Sequence, residues 1–111
     1  MNQNKSTQIK QIISKIDINK IINYRQEYPK SKTLRQTINC FRRIQTSNND
    51  QEIFKLGTDL AYYLNAICDP EKVGCVKDEQ EKKYWLEISK EMFKYTIGIK
   101  EEKVKKAKQN C

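Results

Sequence analysis

Four cysteines, at positions 40, 68, 75 and 111, are the side chains of this chain best suited to metal or redox chemistry. Zinc ribbons and dithiol redox sites need paired thiolates at C-x-x-C spacing, and no pair here has it. Cys68 and Cys75 flank the loop 69–74. The spacing would let a disulfide close that loop, but the favoured reading is two thiols kept reduced inside a cell. Cys40 lies beside an apolar stripe and reads as a small core residue. Histidine is absent, which removes the commonest general base and the commonest metal ligand. Neither a phosphate-cradling Gly-rich loop nor a nucleophile elbow is found. Glu79 and Glu81 fall near a helix start, where acids favour the helix dipole. The expectation is a chain with no catalytic residues, no metal and no cofactor of its own.

Charge points instead to binding. The formal net charge is +8 over 111 residues. Residues 1–50 carry ten Lys/Arg against three Asp/Glu, giving +7, while residues 51–111 carry twelve against eleven, giving +1. A basic half of this kind attracts an acidic protein, a nucleic acid or an anionic membrane surface. Lys10, Lys15, Lys20 and Arg25 on a first helix, with Arg35, Arg42 and Arg43 on a second, form the candidate partner-binding face. Tyr62, Tyr63, Tyr84, Trp85, Phe93 and Tyr95 could stack bases. At this helical spacing they read as core.

The elements that must carry these residues are helical. The mean hydropathy is −0.89, and three Gly with two Pro leave few break points. The predicted fold class is all-α: an antiparallel three-helix bundle with a long fourth C-terminal helix. Residues 1–6 form a flexible N-terminus, 7–67 the three-helix unit, 68–77 a loop, and 78–111 a C-terminal helix with a basic tail. The first helix, 7–27, is capped by Ser6 or Thr7, with Ile9, Ile12, Ile13 and Ile16 at helical spacing. Ile18, Ile21 and Ile22 continue it on a drifting face, and Pro29 ends it. The second, 31–46, carries Leu34, Ile38, Phe41 and Ile44. The third, 50–67, starts at a capping-box-like Asn49 and Glu52 and carries Ile53, Leu56, Leu60, Leu64 and Ile67. The fourth, 78–105, is edged by Trp85, Ile88, Met92, Tyr95 and Ile99. No run reaches the apolar length needed to span a bilayer, and the first helix lacks the apolar core of a secretory signal.

One pattern is more specific. Leu34-Arg35, Ile38 and Phe41-Arg42 are followed by Asn49-Asp50, Glu52-Ile53, Leu56, Leu64 and Ile67. Over residues 9–67 this resembles the LYR-motif family of small mitochondrial helical proteins. There a Phe-Arg pair ends the second helix, an Asn/Thr-Asp turn follows, and an acid-Ile pair opens the third. The chain departs from the family at the Leu-Tyr-Arg tripeptide itself. The same ungapped register places Ile13-Ser14-Lys15 there, and Asn23-Tyr24-Arg25 lies too close to Phe41. The resemblance implies a mitochondrial adaptor, accessory or assembly subunit that binds the acidic acyl carrier protein through basic residues. It also implies that the carrier's acyl-phosphopantetheine enters between helices, with Ile13, Phe41, Leu56, Leu60 and Leu64 as core and tunnel candidates. The alternative is a basic helical nucleic-acid-binding module, a homeodomain-like accessory subunit of a DNA- or RNA-modifying complex with a nuclear location. No helix shows the dense basic and polar face that major-groove reading needs. Lys103, Lys105, Lys106 and Lys108 could track phosphates, though they also read as a simple charge run.

Overall fold

The structure, a computed structural model, describes residues 2–97, with side chains from Lys5 onward. It is all-helical over that span: α1 (Asn2–Lys15), α2 (Ile18–Glu27), α3 (Lys32–Thr46), α4 (Asp50–Cys68) and α5 (Glu79–Thr96). The tail lysines, Ile99 and any extension of α5 to residue 105 lie outside the described residues.

Local chemistry sets most boundaries. Ser31, Asn49 and Asp78 each cap a helix with a side-chain oxygen, accepting from the backbone N–H of Leu34, Glu52 and Glu81. These bonds satisfy donors that a helix start leaves without an intrahelical partner. Beyond α4 the chain doubles back, with Val73 N–H donating to Ala66 O and Val76 N–H to Ile67 O. Gly74 makes the reversal, at φ +60°. A Cβ there would lie 2.9 Å from Pro70 Cα, so the position favours glycine twice over.

Two expectations at the N-terminus are corrected. The single helix 7–27 is two helices, so the described chain has five helices in place of a three-helix bundle with a fourth. The break falls at Ile16 and Asp17. Asp17 is extended (φ −84°, ψ 90°) and caps α2 by accepting from Asn19 N–H. The Tyr84 hydroxyl reaches into the break, accepting from Asp17 N–H at 3.3 Å and lying 3.4 Å from Lys15 O as donor. The drift of the isoleucine stripe past Ile16 reflects this change of axis. Second, Ser6 is not a cap. It sits inside α1, buried, and its hydroxyl donates to Asp50 Oδ1 at 2.7 Å.

α4 is central, packing against α1, α3 and α5, while α2 packs on α3 and α1 also meets α3 and α5. One core results. Ile13, Phe41, Leu56, Leu60 and Leu64 are all buried in it, together with Trp85 and Met92 of α5. Gly57 lets α4 and α5 approach closely: a Cβ there would meet Thr96 Cγ2 at 3.0 Å and Met92 Sδ at 3.3 Å. Buried polar groups are matched. Ser89 donates to Ala61 O at 2.8 Å and accepts from Asn65 Nδ2 at 2.7 Å.

Candidate functional site

The α2–α3 seam brings three of the predicted basic residues together. Leu34, Phe41 and Ile44 are buried and fix the rotation of α3. Arg35 and Arg42 each follow a buried residue by one position, about 100° around the helix, and so flank the core on the side of α2. From α2, Ile22 and Arg25 face them. Arg25, Arg35 and Arg42, with Ile22, Ile38 and Asn39, line a groove of about 320 Å³. It adjoins a second hollow of about 280 Å³ along α2, where Gln26 and Pro29 join Ile22 and Arg25. The lining positions follow i, i+3, i+4 on α2 (22, 25 and 26), with Pro29 in the turn just beyond it, and i, i+3, i+4, i+7 on α3 (35, 38, 39 and 42). That is the spacing of one helical face. Ile38 is buried and forms the floor, whereas the three arginines are exposed. No acidic side chain lines the groove, and none of the three arginines pairs with a carboxylate among the described residues.

The other predicted partner-binding residues stand elsewhere. Lys20 faces α5, where its ammonium pairs with Glu81 Oε1 at 3.3 Å. Arg43, one position on from Arg42, turns toward α4 and pairs with Glu52 at 3.9 Å. It lines a larger cleft of about 520 Å³ between α3 and α4, in which Lys55, Asp59 and Tyr63 also take part. Charges of both signs cancel there, so the cleft holds no strong field. Lys10 and Lys15 are on α1 and do not line the arginine groove.

Compared with models of known families, with curated proteins and with solved structures, the chain matches none.

A third cluster holds α2 against α5. Tyr24 donates to Glu81 Oε2 at 2.6 Å and accepts from the Trp85 indole N–H at 3.4 Å. Burial, and next the hydrogen bond to Glu81, push the Tyr24 phenol well above its ordinary value. It therefore stays protonated at neutral pH and acts as a donor. Sequence reasoning placed Glu81 only as a helix-start acid. Its partners lie some sixty residues earlier, beyond the reach of any local pattern.

Cys40, Cys68 and Cys75 are free and buried. Desolvation pushes each thiol up to about 11, so little reactive thiolate forms near pH 7. Among the described residues no group of three or more His, Cys, Asp or Glu is placed to hold a metal ion. No described helix is long and apolar enough to cross a membrane. The aromatic group is mostly inside or half-buried. Tyr62 alone of the six is largely exposed, and it meets Phe93 edge-on at 5.1 Å.

Proposed function

We propose that this chain is a non-catalytic adaptor, an accessory or assembly subunit that docks an acidic protein against α2 and α3. The observation that carries the reading is the convergence of Arg25, Arg35 and Arg42 on one groove with no carboxylate in its lining. A local field of this kind raises encounter rates with an oppositely charged surface. The LYR resemblance names the first partner to test, a mitochondrial acyl carrier protein. Support for that choice comes from the Phe41-Arg42 pair on which the resemblance rests. Phe41 is buried and Arg42 opens onto the groove. In this reading the acyl chain enters by parting α3 and α4, where Leu56 lines both core and cleft.

The test is association kinetics by surface plasmon resonance, with the parent chain and Arg25→Glu/Arg42→Glu. At low salt the double variant should associate with the carrier protein about ten-fold more slowly or worse, and parent binding should weaken as salt rises. Equal association rates overturn the reading. Tight, salt-sensitive DNA binding with none to the carrier protein would replace it with the nucleic-acid module.

A further inference from the structure

The basic residues of this chain are very unevenly chosen. Eighteen are lysine and four are arginine, yet three of the four arginines line the single α2–α3 groove. A general positive field needs only lysine. Arginine differs in presenting a planar fork of donors that grips two oxygens of one anion at once. Three such forks around one space of about 320 Å³ supply more charge and more donors than a single carboxylate can use. A phosphomonoester carries close to two negative charges at pH 7 and three strong acceptor oxygens, which matches the set. Asn39 adds an amide at the rim, and the floor of Ile22 and Ile38 suits a short apolar stem. The adjoining hollow past Gln26 and Pro29 leaves room for flanking backbone. No aromatic side chain lines either part, so a nucleobase would find no stacking surface.

We infer that the α2–α3 groove is a phosphomonoester site that takes a phosphorylated serine or threonine side chain of the partner protein. The inference rests on the docking reading above and adds a chemical identity to what is docked.

The experiment uses the full chain labelled with ¹⁵N, observed through its arginine Nε–Hε resonances. Only four exist, so each residue reports separately. The probes are N-acetyl-phosphoserine methylamide, the same compound without phosphate, N-acetyl-glutamate methylamide, inorganic phosphate and acyl carrier protein. Saturable shifts of Arg25, Arg35 and Arg42, with Arg43 unmoved, are expected for the phosphoserine derivative. Half-saturation should come at a concentration at least ten-fold below that of the glutamate derivative, with no response to the unphosphorylated one. Arg35→Gln should weaken binding ten-fold or more with the backbone spectrum otherwise unchanged, and Arg43→Gln should not. Equal binding of the glutamate and phosphoserine derivatives overturns the inference. So does tighter binding of inorganic phosphate, or movement of all four arginines together without saturation. If the carrier protein shifts the three resonances and phosphoserine does not, docking stands and the phosphate inference falls. If neither does, both fall. Binding of phosphoserine without the carrier protein upholds the site and removes that carrier as its partner.

Discussion

The Tyr24 hydroxyl donates to Glu81 Oε2 at 2.6 Å, joining α2 to a helix that begins more than fifty residues further along the chain. Glu81 shares its other oxygen with Lys20, and the Trp85 indole donates back to Tyr24. α2 packs by its backbone only on α3. These side-chain bonds are what tie its other flank to α5.

Tyr24→Phe keeps the ring and deletes the hydroxyl, leaving Glu81 Oε2 without its donor and Trp85 without its acceptor. The expected cost is about 1.5–3 kcal/mol, the range for a hydrogen bond to a charged group. Urea denaturation of parent and variant measures it. Hydrogen exchange should quicken in α2 more than in α4, and an unchanged midpoint with unchanged α2 protection would count against the bridge.

Phe41 is 6% exposed and lies in the common core. Phe41→Ala should destabilise by roughly 3–5 kcal/mol, the range for a large aromatic removed from a packed interior. Thermal melts decide this, and a variant melting with the parent would mean the ring is not packed as described.

At Gly57 the space for a side chain is already taken by Thr96 and Met92. Gly57→Val should push α5 away and cost roughly 1–3 kcal/mol through overpacking, despite the gain in helix propensity over glycine. Trp85 fluorescence should report the shift. A variant as stable as the parent, with an unchanged emission maximum, would refute the close approach.

The three buried thiols give a pH dependence with a definite sign. Each is raised from 9.0 to about 11 on folding, so the folded state favours the protonated form. That contribution is fully present below pH 9 and is lost as pH rises toward 11, on the order of 2 kcal/mol per thiol. Denaturation midpoints at pH 8, 9.5 and 10.5 should therefore fall steeply, and Cys68→Ala should fall less. In a Cys111→Ser background, a thiol reagent at pH 8 should react only on the unfolding timescale. Fast labelling of the native chain, or a flat midpoint, would contradict the burial.

Much of α3 and α4 was legible because its signals are local. Asn49 announces its own helix, and the stripes from Leu34 to Ile44 and from Ile53 to Ile67 fix the buried faces. The break at Ile16 and Asp17 was not, since part of what satisfies its backbone is a tyrosine hydroxyl 67 residues away. For the site, charge alone singled out Arg25, Arg35 and Arg42. It also grouped them with Lys20 and Arg43, which the fold turns toward Glu81 and Glu52. Periodicity says which residues share a face of one helix, but not which faces meet.

The bonds from Tyr84 to the corner between α1 and α2 have a consequence for synthesis. The first two helices leave the ribosome well before the residues that fasten them. At about 5–20 residues per second, the corner at Lys15 and Asp17 waits several seconds for Tyr84 to appear. Meanwhile α3 and α4, joined by a three-residue turn, close on each other first because their contacts are near in sequence. The nascent chain thus passes through a stage in which a finished hairpin carries an unfastened, isoleucine-rich leading segment. A truncation before α5 would leave that corner unfastened for good, with α1 holding only its packing on α3 and α4.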